Sequence, residues 1–110
     1  MENKKIVCDF DDTISFATDR DWANAKPNLP LIEKLNGLYD NGWDISILTA
    51  RGNLSCDSRE EAIATYRNEM EDWLKRHNVK YTTLSFNKPY AEYYIDDKAI
   101  RPEEFIKENI

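Results

Sequence analysis

Lys5-Ile6-Val7-Cys8-Asp9-Phe10-Asp11-Asp12-Thr13 decides how this chain folds. A short, largely apolar and β-prone run ends in two carboxylates at alternate positions, and a hydroxyl follows two residues behind the second. Far along the chain the pattern returns, with Tyr93-Tyr94-Ile95 ending in Asp96-Asp97. Two strands that finish in acids predict one acidic pocket at the carboxyl edge of a parallel sheet, the edge where open α/β sheets place ligands.

Working outward, the first strand is expected over about residues 4–10. Residues 14–30 lack a clear period and hold Trp22, Pro27, Asn28 and Pro30, which predicts a loop beside the carboxylates with room for a short hairpin or helical turn. Leu31, Ile32, Leu35, Leu38 and Tyr39 recur at helical spacing, and Asn41-Gly42 supplies a stop. Trp43 to Leu48 reads as a second strand, ending at Thr49-Ala50-Arg51-Gly52. Ser58 with Glu61 is a capping-box signature. The helix it opens should reach about His77, with Ile63, Tyr66, Met70, Trp73 and Leu74 on its buried face. Val79–Phe86 and Tyr93–Asp96 read as third and fourth strands, and Pro102-Glu103-Glu104 opens a short terminal helix. Strands alternating with helices give an α/β fold, a single Rossmann-like parallel sheet flanked by helices.

Composition narrows the classes. A length of 110 residues fits one domain over residues 1–110. No apolar run approaches the roughly 20 residues that cross a bilayer. The start, Met1-Glu2-Asn3-Lys4-Lys5, lacks the apolar stretch of a secretory leader, so a cytoplasmic location is the expectation. Cys8 and Cys56 form neither a C-x-x-C pair nor a disulfide pattern, and Cys8 is expected as a small buried hydrophobe. A single histidine, His77, speaks against a Ser-His-Asp relay or a His-rich zinc site; it is expected as a cation-capable residue at the C-terminal end of a helix. The net charge of −6 disfavours a nucleic-acid partner, because phosphate backbones are held mainly by Lys and Arg.

Alternate residues of a strand share a face, so Asp9 and Asp11 can converge. One carboxylate can attack phosphorus, and the other can protonate the leaving alcohol and then activate water. The obstacle is charge: a like-charged pair at about 4 Å repels by roughly 4 kcal/mol at an effective dielectric near 20. Positive charge must therefore be supplied. Asp9 and Asp96 can hold Mg²⁺, which takes oxygen ligands from carboxylates, water and phosphate. Lys88 can add a point charge, and Thr49 a hydrogen bond to a phosphoryl oxygen.

This ordered set resembles the haloacid dehalogenase superfamily of phosphohydrolases over nearly the whole chain. Asp9-Phe10-Asp11-Asp12-Thr13 is similar to its first motif, Ile47-Leu48-Thr49 to its second, Lys88 to its third and Tyr94-Ile95-Asp96-Asp97 to its fourth. The resemblance implies Asp9 as nucleophile and Mg²⁺ ligand, and Asp11 as general acid/base that also offers its backbone carbonyl to the metal. It implies Thr49 and Lys88 on the phosphoryl group, Asp96 on Mg²⁺, and Asp97 on the metal directly or through water. Thr13 would support the acid/base loop, and Thr13, Ala50, Arg51 and Lys98 line the substrate side. Asp12 stands where many members have glycine. The spacing of the motifs leaves no room for a separate cap domain, which implies an open site that a second copy of the chain could cover.

Leu48-Thr49-Ala50-Arg51-Gly52-Asn53, Asp72-Trp73-Leu74-Lys75 and the stretch from Lys88 to Ile100 resemble more narrowly the phosphatases of capsule polysaccharide biosynthesis. That likeness implies a sugar or polyol phosphate as substrate, with neither nucleic acid nor membrane as partner. Two alternatives stand beside it: a nucleotide or polynucleotide end phosphatase, and a catalytically silent binding module.

Overall fold

The computed structural model describes residues 4–110. Strand β1 (Lys5–Asp9) leads into a small arm, a hairpin of β2 (Ser15–Phe16) and β3 (Lys26–Pro27) with a 3-10 turn, Trp22–Asn24, between them. Helix α1 (Leu29–Asp40), strand β4 (Asp44–Leu48), helix α2 (Arg59–Arg76), strand β5 (Thr83–Ser85) and helix α3 (Pro102–Phe105) follow. β1, β4 and β5 form a parallel three-stranded sheet in the order β1-β4-β5, flanked by helices. The α/β expectation is met, and the loop expected over 14–30 does carry a hairpin and a helical turn.

Parallel strands buried on both faces need continuous apolar character. The central β4 has it: Ile45 and Ile47 are fully buried, and Ser46 between them nearly so. β1 is an edge strand, with Cys8 buried and Val7 59% exposed. Both long helices begin as their sequences dictate. The Asn28 side chain accepts from the Leu31 N–H at the start of α1, and Pro30 occupies its first turn. Ser58 Oγ accepts from the Glu61 N–H at 3.1 Å, while the Glu61 carboxylate reaches back to the N–H of Asp57 instead of Ser58. Glu60 and Glu61 in the first turn of α2 and Lys75 and Arg76 in its last complement the helix dipole.

The core packs α1 and α2 against the sheet through Leu31, Leu35, Ile45, Ile47, Met70, Trp73 and Leu74. Trp73 meets Phe10 edge to face at 5.3 Å and donates its indole N–H to the Ala25 carbonyl, tying the arm to α2. Of the face expected for α1, Tyr39 stays exposed.

Two expectations are corrected. The third strand is only Thr83–Ser85. The fourth strand, expected over Tyr93–Asp96, is not formed; Tyr93 is 84% and Ile95 99% exposed. Local bonds hold that segment in its own turn: the Tyr94 hydroxyl donates to the Pro89 carbonyl at 2.6 Å and accepts from the Ala91 N–H, and Asp96 Oδ1 accepts from the Lys98 N–H. Such bonds compete with a ladder. His77 stands at the end of α2 as expected, against the Trp73 ring at 4.3 Å, and burial first, Arg76 second, lower its pKa from the usual 6.5.

Among the described residues no helix is long and apolar enough to cross a membrane. The leader reading rests in part on Met1, Glu2 and Asn3, which lie outside the described residues.

Candidate active site at the carboxyl edge of the sheet

The strand register brings the chemistry together. Asp9 pairs with Leu48, and Leu48 with Ser85, so all three strands end level. The ladder runs one step further, with the Phe10 N–H on the Leu48 carbonyl and the Thr49 N–H on that of Ser85. The chain then turns sharply: the Phe10 carbonyl accepts from the N–H groups of Thr13, Ile14 and Ser15. Asp12 enters this turn at φ 63°. Aspartate tolerates that left-handed backbone and glycine takes it freely, a physical account of glycine at this place in many members of the resembled family.

Each oxygen of the two carboxylates has its own partner. Asp9 Oδ1 lies 2.8 Å from Lys88 Nζ, and its Oδ2 accepts from the Thr13 hydroxyl at 3.0 Å. Asp11 Oδ1 lies 2.5 Å from Arg51 Nη2, and its Oδ2 accepts from the Thr49 hydroxyl at 3.1 Å. Two negative charges are thus matched by two cations and two hydroxyls. Both carboxylates keep about a third of their side-chain surface open to solvent, at 29% and 33%, where a ligand can reach them.

The loop after β4 is built to hold this arrangement. Thr49 is fully buried, and its hydroxyl also accepts from the Arg51 N–H. Gly52, at φ 89°, lies so close to α2 that a Cβ there would stand 2.6 Å from the Ala62 Cβ. Asn53 donates from its side chain to the Lys88 carbonyl, and the Lys88 N–H donates to the Thr49 carbonyl. The Lys88 ammonium also sits 4.3 Å from the Tyr94 ring centroid. Cys8, beside Asp9, is buried, and burial first and the Asp9 charge second push its thiol up to about 12.

Of the residues singled out in the sequence, the structure gathers Asp9, Asp11, Thr13, Thr49, Arg51 and Lys88. Ala50 lies between Thr49 and Arg51, half-buried. Asp96, Asp97 and Lys98 are exposed and bonded among themselves; the Lys98 N–H, with Asp97 second, holds the Asp96 carboxyl below its usual value. Among the described residues no three carboxylate, imidazole or thiol groups converge as a metal cluster, so Asp96 does not join Asp9 and Asp11 here. Asn53 and the aromatic rings around Arg51 were not foreseen. The adjacency of Asn53 to Thr49-Ala50-Arg51-Gly52 was the available signal for the first.

No family model and no curated protein matches the chain. Solved structures do. A structural-genomics target from Vibrio cholerae is similar over 97% of this chain and 90% of its own, at 33% identity and a TM-score of 0.88. The Pnkp1/Rnl/Hen1 complex is similar over 94% of this chain and 33% of the matched chain, at 22% identity and a TM-score of 0.59. A second structure, of the Pnkp1/Rnl/Hen1 RNA repair complex, aligns over 94% and 30%, again at 22% identity, with a TM-score of 0.58. This chain therefore spans about a third of those two matched chains, and the likeness to them is one of fold.

Proposed function

The chain belongs to the same family as the Vibrio cholerae protein of solved structure, and from the residues gathered at its sheet edge we propose that it is a phosphomonoesterase of the haloacid dehalogenase type. The observation that carries this reading is the paired arrangement at the sheet edge, Lys88 on Asp9 and Arg51 with Thr49 on Asp11. In it, Asp9 attacks phosphorus and forms an aspartyl phosphate as the bond to the leaving oxygen breaks. Asp11 gives that oxygen its proton, then takes one from the water that cleaves the acyl phosphate, which releases inorganic phosphate and restores Asp9. Lys88 and Thr49 stabilise charge on the phosphoryl oxygens. Thr13 holds Asp9 in line.

Asp9 and Asp11 are hard oxygen donors that fit Mg²⁺, a cation content with one or two carboxylates plus water and phosphate. Asp9 and the Asp11 carbonyl would hold it, and when bound it would offset the negative charge of the phosphate ester; Asp96 and Asp97 would join them only if the 93–98 segment moved toward the sheet edge.

The substrate in this reading is a small phosphorylated metabolite, a sugar or polyol phosphate. A second reading, a nucleotide or polynucleotide end, has one finding in its favour: the fold likeness to chains of the RNA repair complex. The net charge of −6 weighs against the polymer. The test is phosphate release with and without Mg²⁺ across sugar, polyol, amino-alcohol and nucleotide monophosphates and 5′- or 3′-phosphorylated oligonucleotides. Asp9→Asn serves as the blank. Magnesium-dependent turnover that vanishes in Asp9→Asn supports the reading and names the substrate class. Binding without turnover would favour a silent module.

A further inference from the structure

Arg51 is the most buried charged residue of the site, its side chain 2% exposed. Hydrogen bonding does not explain how it is held. Its guanidinium makes one polar contact, Nη2 on Asp11, and its Nε–H is buried with no partner among the described residues. A buried guanidinium is ordinarily fixed by several bonds from its planar fork. With a single bond it could swivel about that contact.

Ring faces take the place of the missing bonds. The guanidinium carbon lies 4.3 Å from the Trp22 centroid, 5.3 Å from that of Phe10 and 5.9 Å from that of Tyr66. All three distances are within reach of cation–π attraction, which strengthens where water is excluded. Phe10 belongs to the β1 turn and Tyr66 to α2, elements the fold requires in any case. Trp22 is different: it comes from the arm and stands edge to face with Tyr66 at 5.5 Å. The arm is fastened where it carries Trp22. Trp73 and Arg76 of α2 donate to the Ala25 and Ala23 carbonyls at 3.0 Å each. Asp19 and Arg20, leading into the turn, both take left-handed backbone, at φ 52° and 61°.

We propose that Trp22 is a positioning residue for the reaction at Asp11, acting through Arg51: its indole closes an aromatic cage that fixes the guanidinium, and the guanidinium fixes the carboxyl. The role rests on the phosphatase reading above. It also departs from the expectation of Arg51 as a contact to substrate, because a guanidinium enclosed this way faces Asp11 instead of solvent.

The test uses the full chain, Mg²⁺ and para-nitrophenyl phosphate, with Trp22→Ala, Trp22→Phe, Arg51→Ala and the Trp22→Ala/Arg51→Ala pair. Misplacing a catalytic group predicts a fall in kcat of about 10- to 100-fold for Trp22→Ala. KM should move by less than about threefold, since uniform binding is untouched. Trp22→Phe should restore most of kcat, because a ring face remains. The double variant should be no slower than Arg51→Ala alone, the mark of two residues acting through one contact. The Arg51 Nε–H resonance should exchange slowly in the wild type and rapidly in Trp22→Ala. A rise in KM at constant kcat, additive effects in the pair, or an unchanged Nε–H signal would each overturn the positioning role while leaving the phosphatase reading intact. Absence of turnover in the wild type sinks that reading and this role with it. Should Trp22→Ala not fold, Trp22→Leu carries the same comparison.

Discussion

Two acidic pairs, each behind an apolar run, meet opposite fates in this molecule. Asp9 and Asp11 have every carboxylate oxygen engaged by a cation or a hydroxyl drawn from three separate segments. Asp96 and Asp97 stand in solvent, and among the described residues Asp96 bonds only to its near neighbours. The acids are alike in both places. What differs is whether the strand in front of them is locked into a register that delivers partners from elsewhere in the chain.

The largest expected effect tests the assembled pair. Removing one stabilising donor from a transferring group costs about 10²–10³ in kcat, so Lys88→Ala should lower phosphate release by that factor. Equal activity in Lys88→Ala would mean that the contact to Asp9 is structural only. Asp96→Asn asks whether the solvent-borne pair enters the chemistry at all. As a metal ligand it should raise the Mg²⁺ needed for half-maximal rate by about 10- to 100-fold. An unchanged requirement would keep the 93–98 segment outside the site.

Stability separates the two regions in the same way. Gly52→Ala forces a Cβ against Ala62 at a backbone angle that side chains avoid, and should cost about 3 kcal/mol in urea unfolding. Ile95→Asn, at a residue 99% exposed, should change stability by less than about 0.5 kcal/mol. A loss larger than about 1 kcal/mol at Ile95 would show that the segment packs in solution and would break the contrast.

The smallest effect concerns pH. The lowered His77 pKa means that the unfolded chain binds this proton more readily than the folded one. The contribution of His77 is therefore complete above about 6.5, its unfolded value, and is lost as pH falls through the lower folded one. Between about pH 7 and pH 5, the urea midpoint of the wild type should fall more steeply than that of His77→Gln. Parallel slopes would remove His77 from the account.

How much of this was legible follows from the same contrast. Asp9, Asp11, Thr49 and Lys88 could be read from the sequence because each lies at or just past a strand end, and an apolar run followed by a polar residue marks such an end. The α1 and α2 starts were legible because Asn28 and Ser58 act on residues three further on. The place of Trp22 in the loop beside the carboxylates was legible, but its contact to Arg51 and that of Asn53 to Lys88 were not, since each partner lies about 30 residues away and no local period encodes it. Tyr93-Tyr94-Ile95 has the composition of a strand. Pairing, however, is a contest between a ladder and whatever bonds the segment can make alone, and the Tyr94 hydroxyl and Asp96 carboxylate supply those at short range.

Cys8 carries a last consequence. Sulfur chemistry proceeds through the thiolate, and a thiol pushed up to about 12 presents almost none near neutral pH. Peroxide and alkylating agents should therefore pass over the residue adjoining Asp9, even though oxidation there would sit beside the proposed nucleophile. Cys56, only half-buried, is the cysteine open to such reagents. In the proposed phosphatase reaction, a thiol so held beside Asp9 should leave turnover insensitive to mild oxidants acting at Cys8.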